Sequence, residues 1–233
     1  MSDDPRTAQI AANLAQVRDR MAAAAKAAER DPGELTLIGI TKTFPAEDAR
    51  RLVRLGVPDL GENRDQDARA KAGEVPEARW HFVGRLQRNK AASVAAYAAV
   101  VHSLDRAELV RALANGVRRA ERDPLDVLVQ VSLDGDPDRG GAPAGEVVAL
   151  SDAAAATGLL RPAGLMAVAP MAADPDAAFA VLREVAGPLR AAHPGATVIS
   201  AGMSADLEAA VRNGATHLRI GTALLGDRPP LRR

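Results

Sequence analysis

The sequence predicts an α/β fold, a single closed (β/α)8 barrel spanning residues 1–233, and three observations point there. Eight short β-favouring segments succeed one another along the 233 residues, trailed by helical stretches or turns, and such alternation builds a parallel sheet covered by helices. No linker or composition break divides the chain, and a 47% hydrophobic content at this length supplies one large core. No Gly-x-Gly-x-x-Gly follows the first strand, which weakens the open dinucleotide-binding sheet as a rival.

The elements follow in order. Over residues 7–30, Ile10, Leu14, Val17 and Met21 recur at helical spacing among alanines, and Asp31-Pro32-Gly33 stops the helix. The first strand, residues 35–41, ends abruptly at Lys42; Pro45 then opens a helix over 45–55 with Gly56 as its C-terminal cap. A short second strand is expected at 59–60 and a third at 80–83, with a helix from about 89. The fourth strand, 100–102, leads to a helix over 106–119; the fifth, 126–131, leads through a Gly/Pro-rich loop to a helix ending at 156. The sixth, 165–168, precedes a helix over 175–189, and the seventh, 197–199, precedes one over 206–213. The eighth occupies 217–220, and residues 1–6 and 228–233 are expected to be flexible termini.

Composition narrows the function classes. Lys+Arg and Asp+Glu each number 30, so no basic excess argues for nucleic acid or an anionic membrane. Aromatics at 2% leave no stacking platform for single strands, and the lack of cysteine removes disulfides, thiolate metal sites and a thiol nucleophile. No apolar run approaches the roughly 20 residues that span a bilayer. Met1-Ser2-Asp3-Asp4-Pro5 lacks the pattern of a secretory signal, so a cytoplasmic protein with a small-molecule or protein partner is expected.

Chemistry in a barrel collects at the carboxyl ends of the strands, and phosphate sits by preference in the loops after strands seven and eight. Those loops here are Ser200-Ala201-Gly202-Met203-Ser204-Ala205-Asp206 and Gly221-Thr222-Ala223-Leu224-Leu225-Gly226, rich in the small residues that let backbone N–H groups approach an anion. Ser204 and Thr222 are either plain helix caps or the two sides of a phosphate cup. Lys42 is either a snorkelling side chain or an amine able to attack a carbonyl, and its place on the same rim favours the amine. Asn63, after strand two, caps a helix or faces the mouth. Arg219, inside an apolar strand, needs an acceptor if it points inward and a helix carboxylate if it points outward. An amine beside a phosphate cup suggests a phosphorylated aldehyde held as an imine.

Several blocks carry a resemblance: Thr41-Lys42-Thr43-Phe44-Pro45, Gly61-Glu62-Asn63, Trp80-His81-Phe82-Val83-Gly84-Arg85-Leu86-Gln87-Arg88-Asn89-Lys90, Gly164-Leu165-Met166, the Gly202-Met203-Ser204-Ala205-Asp206 loop, and Arg219-Ile220-Gly221-Thr222. In order over nearly the whole chain, they resemble the pyridoxal phosphate homeostasis protein family, the YggS-like group, which is related in fold to the alanine racemase N-terminal domain. The resemblance implies a protein of vitamin B6 homeostasis that binds pyridoxal 5'-phosphate (PLP) as a lysine aldimine on Lys42. Ser204, Gly221 and Thr222 would then hold the phosphate, with Asn63, Ser200 and Met203 beside the cofactor and Arg219 facing the pyridine nitrogen. An arginine there keeps that nitrogen unprotonated and weakens the cofactor as an electron sink. The family usually has serine where this chain has Thr41, and tyrosine where it has Arg64.

The expected role is accordingly to hold PLP without robust catalysis, as a monomer or weak dimer whose partners are PLP and PLP-dependent apo-enzymes. No metal and no catalytic residue are expected. The alternative is a PLP-dependent amino-acid racemase or a Schiff-base lyase acting on a small phosphorylated substrate. In alanine racemase a tyrosine from a separate β-domain of the partner subunit serves as second acid/base, whereas the only tyrosine here, Tyr97, falls on a mid-chain helix. His81 remains as a weak base.

Overall fold

The computed structural model describes residues 4–136 and 139–227. Eight parallel strands close into a barrel in sequence order. They are β1 (Thr36–Ile40), β2 (Asp59–Glu62), β3 (Arg79–Phe82), β4 (Val100–Leu104), β5 (Leu125–Gln130), β6 (Leu160–Met166), β7 (Val198–Ser200) and β8 (His217–Ile220). Closure is made by β1 against β8, with Thr36 opposite His217 and Gly39 opposite Ile220. Around them lie α1 (Pro5–Ala27), α2 (Ala46–Arg54), α3 (Asp65–Glu74), α4 (Ala91–Tyr97), α5 (Ala107–Arg119), α6 (Val147–Ala155), α7 (Pro175–Ala192), α8 (Leu207–Arg212) and α9 (Thr222–Leu225).

Alternate residues of a barrel strand face the lumen and the helix layer. Trp80 and Phe82 of β3, Val127 and Val129 of β5, and Leu218 and Ile220 of β8 join one large apolar cluster with helix residues such as Leu52, Leu109 and Phe179. Each fully buried leucine there contributes roughly 1.5–3 kcal/mol through burial. The residues between them, His81, Leu128 and Arg219, point the other way. Val100, Leu128 and Met166 form a separate small cluster, and the lumen is otherwise partly polar.

Three parts of the chain differ from expectation. Strand β6 begins at Leu160, five residues before the expected start, because Arg161 and Pro162 look unlike a strand yet pair with Asp126 and Val127 of β5, and Ala163 is passed over where the register shifts before Gly164. Gly164 is what permits it: its φ is +151°, and a Cβ would sit 1.9 Å from the Val198 carbonyl oxygen. Helix α3 is expected only as a helix that Asn63 would cap; Arg64 stands at its cap instead, only Ala68 and Lys71 are buried, and no apolar stripe marks it. Residues 4–6, expected to belong to a flexible tail, start α1: the Asp4 carboxylate accepts from the Arg6 N–H at 3.1 Å, and Arg6 pairs with Asp48 at 2.8 Å. The remainder of both expected tails lies outside the described residues. Among the described residues no helix is long and apolar enough to cross a membrane.

Candidate functional site

Strand β1 stops because the chain turns sharply after Thr41. The Phe44 N–H donates to the Thr41 carbonyl at 3.0 Å, Thr43 takes φ +72°, and Pro45 precedes the first turn of α2. This turn sets Lys42 on the rim of a cavity of about 490 Å³ at the carboxyl end of the barrel. Asn63 lines the same side, Met203, Ser204, Gly221 and Thr222 line the opposite loops, and Arg219 lines it from β8. Seven of the eight expected site residues therefore meet in one place. Its volume falls within the usual range for small-molecule sites.

The loops after β7 and β8 are shaped by backbone. Gly202 has φ +88°, and a Cβ there would meet Ala210 Cβ at 2.6 Å, so only glycine lets the loop turn against α8. Asp206 then pins the turn, accepting from the Met203 N–H at 2.6 Å. The Ala223 N–H donates to Ser204 Oγ at 3.4 Å and ties the two loops together. Among the described residues, the backbone N–H groups of Ser204, Ala205, Gly221 and Thr222 donate to no protein acceptor, and all four residues line the cavity. Four undonated N–H groups on two facing loops are thus unused by the described residues at the mouth, the kind of donor set that suits an anion. Neither Ser204 nor Thr222 caps a helix with its side chain.

Arg219 points inward. Its guanidinium donates to the Ser200 carbonyl at 2.7 Å, to Ser200 Oγ at 2.9 Å and to the Ala167 carbonyl at 2.9 Å. A guanidinium has five N–H donors, so two are left for an acceptor in the cavity. Burial pulls its pKa down to about 10, still well above neutrality. Ser200, expected beside the cofactor, is fully buried beneath the cavity and acts on it through Arg219.

Below Ser200 a line of polar groups continues across the lumen. His102 Nδ1 lies 3.0 Å from Ser200 Oγ, His102 Nε2 lies 2.9 Å from His81 Nδ1, and His81 Nε2 lies 2.8 Å from Asp59 Oδ1. Strands β4 and β7 are not neighbours in the sheet, so the His102–Ser200 contact bridges the interior. Burial depresses His81 below the ordinary imidazole value despite the Asp59 bond, and it depresses His102 further, aided by His81 and Arg219. Burial would raise the Asp59 carboxyl, but the His81 hydrogen bond and nearby positive charges bring it below its ordinary value. Sequence reading named His81 and passed over His102; the signal available was a histidine on the alternate face of an apolar strand.

Behind β1 and β2, in the helix layer, Glu62 pairs with Lys71 of α3. Thr41 Oγ1 donates to Glu62 Oε1 at 2.7 Å, and Lys71 Nζ donates to the Thr41 carbonyl at 2.8 Å. The residue preceding Lys42 is thus held through its hydroxyl and its carbonyl, and the hydroxyl contact is one that serine or threonine can make. Arg64, at the departure from the tyrosine pattern, precedes α3 and is exposed.

The chemistry of this mouth can be set beside known proteins. Residues 6–229 match the family model described as alanine racemase, N-terminal domain. A protein of Corynebacterium glutamicum named pyridoxal phosphate homeostasis protein is 44% identical over 206 residues, covering 86% of this chain and 93% of that one. The structure of PipY from Synechococcus elongatus with PLP bound superposes with a TM-score of 0.81 at 31% identity, covering 94% of this chain and all of that one. Alanine racemase from C. glutamicum shares the fold, with a TM-score of 0.69 at 16% identity over 97% of this chain and 63% of the enzyme. The chain belongs to the alanine racemase N-terminal domain family and, within it, to the pyridoxal phosphate homeostasis proteins.

Proposed function

We propose that this chain binds PLP at the barrel mouth and serves intracellular PLP homeostasis by holding the cofactor for PLP-dependent apo-enzymes. The observation that carries the reading is the convergence of four undonated backbone N–H groups, the Lys42 amine and two spare Arg219 donors on one cavity. Bound PLP supplies an aldehyde that condenses with an amine and a ring that withdraws electrons. The residues divide the binding accordingly. The Ser204 and Thr222 loops take the phosphate on N–H groups, Lys42 presents its amine to the aldehyde carbon, and Arg219 donates to the ring nitrogen. Because arginine stays protonated, it donates a hydrogen bond without giving up its proton. The ring nitrogen then remains a poor sink for carbanion electrons, in keeping with holding over turnover.

Absence of strong catalysis is supported by the lining of the cavity. Among the described residues, only Lys42 and Arg219 on that lining are titratable. Tyr97 ends α4 away from it, and His81 and His102 lie below Arg219 in the lumen. A racemase needs a second acid/base on the far face of the cofactor, and none lines this mouth.

PLP is expected to co-purify and to give a visible absorption band, and borohydride reduction is expected to fix the label on Lys42. Label elsewhere, or no band after incubation with PLP, overturns the reading. Lys42→Ala is expected to lose the band while keeping weak PLP binding through the cup. Sustained racemization of single-enantiomer amino acids, followed by chiral product analysis, would replace the holding role with an enzymatic one.

A further inference from the structure

The lumen chain ends at one group that can only accept and at another that can only donate. The Asp59 carboxylate has no proton to give, and the Arg219 guanidinium has no lone pair to offer. Between them stand two imidazoles and one hydroxyl, linked at 2.8, 2.9, 3.0 and 2.9 Å. With both imidazoles neutral, each has one donor and one acceptor nitrogen, and the assignment is forced link by link. His81 Nε2–H donates to Asp59, which leaves His81 Nδ1 as acceptor. His102 Nε2–H donates to His81, which leaves His102 Nδ1 as acceptor. Ser200 O–H donates to His102, and a lone pair of Ser200 Oγ receives the Arg219 N–H.

We propose that Asp59, His81, His102 and Ser200 form one proton-ordered hydrogen-bond chain, anchored by the Asp59 carboxylate, that positions Arg219 as a donor at the barrel mouth. Asp59, His81 and His102 are positioning residues in this scheme, since none lines the mouth. Burial supports the neutral state of both imidazoles. The order begins at the far end of the barrel, where Asp59 lines a separate cavity of about 370 Å³ together with Arg18 and Pro58. The role of Arg219 toward a ring nitrogen rests on the PLP reading, whereas the proton order itself does not.

A charge at one end of the barrel therefore selects the hydroxyl direction at the other. Without an acceptor at position 59, His81 is free to carry its proton on Nδ1. That turns His102 around in its turn, so the Ser200 hydroxyl proton loses its acceptor and the Ser200 Oγ that Arg219 donates to is no longer held in one direction, while the two carbonyl bonds of Arg219 stay.

Nitrogen-15 NMR of the imidazoles in cofactor-free protein tests the order directly, in a His193→Gln/His217→Gln background where only the two chain histidines report. Both are expected to be neutral with the proton on Nε2. A proton on Nδ1 of either, or an imidazolium at pH 7.5, overturns the proposal. Asp59→Ala is expected to move the His102 proton, a site it does not touch, and to weaken PLP retention about tenfold, the worth of one charge-assisted hydrogen bond. Asp59→Asn keeps an acceptor oxygen and is expected to keep both tautomers. An unmoved His102 proton in a folded Asp59→Ala protein overturns the proposal, and the unsubstituted tautomers decide it if that variant does not fold. Failure of the unsubstituted protein to bind PLP would sink the proposed function and leave the tautomers to judge the chain on their own.

Discussion

The barrel buries two polar systems on opposite faces of the same sheet, and they are completed to different degrees. In the lumen, four hydrogen bonds join Asp59, His81, His102, Ser200 and Arg219, and the charges sit only at the two ends. In the helix layer, Lys71 and Glu62 meet as a buried ion pair, and Glu62 Oε2 makes no hydrogen bond among the described residues. Neutral groups are cheap to bury when each is bonded, whereas ions need geometry that repays their lost hydration. The lumen can thus run unbroken from one end of the barrel to the other. The ion pair is confined to one spot behind Lys42, where it holds a turn.

Acid should separate the two systems most strongly. His81, His102 and His217 all sit below the ordinary imidazole value; burial comes first in each, and it brings His217 to about 4. A folded state that refuses protons the unfolded chain accepts loses stability as pH falls from about 6.5 toward 4. Each imidazole that the unfolded chain protonates and the folded state keeps neutral adds roughly 1.4 kcal/mol per pH unit to the slope. Urea midpoints measured across that window are expected to fall steeply, and less so in His217→Gln. A flat profile would contradict the buried, neutral lumen.

Breaking the helix-layer system should cost somewhat less and act locally. Lys71→Met leaves a buried Glu62 charge without its cation and is expected to destabilise by about 3–5 kcal/mol. The double variant Lys71→Met/Glu62→Leu should recover much of that loss, because both ions are then gone. If the single and double variants melt alike, the ion pair is not what holds the Thr41 turn.

The smallest effect on the fold is expected from the cup. Ser204 and Thr222 act at the surface of the cavity, so Ser204→Ala/Thr222→Ala should stay within about 0.5 kcal/mol of the parent in unfolding. PLP retention is expected to weaken, and unchanged affinity would show that side-chain hydroxyls add nothing to the N–H groups there.

Much of this was legible in the sequence because barrel strands announce their ends. Lys42 stands where an apolar run stops before Pro45, and the β7 and β8 loops are written in glycine and small hydroxyl residues. What stayed hidden was polar and long-range. Helix α3 has no apolar stripe, so Lys71 could not be placed against Glu62, and β6 begins in residues that look unlike a strand. His102 reads as one polar residue in an apolar segment until the barrel closes and sets it against Ser200, 98 positions away. Ser200 is expected beside the cofactor from the family resemblance, and a motif match fixes a residue's height along the barrel but not its depth below the mouth.

Helix α1 grips the cup from outside. Arg6 donates to the Leu225 carbonyl, Asn13 to the Leu224 carbonyl and Arg20 to the Ser204 carbonyl, across 219, 211 and 184 positions of chain. During synthesis these donors leave the ribosome long before the carbonyls they serve. These contacts cannot all form until the chain has been made past Leu225, and contacts at such separation slow folding. A nascent chain would therefore acquire a closed barrel and a competent mouth together, once β8 and α9 have emerged, so a chain made short of them would have no finished cup with which to capture the cofactor.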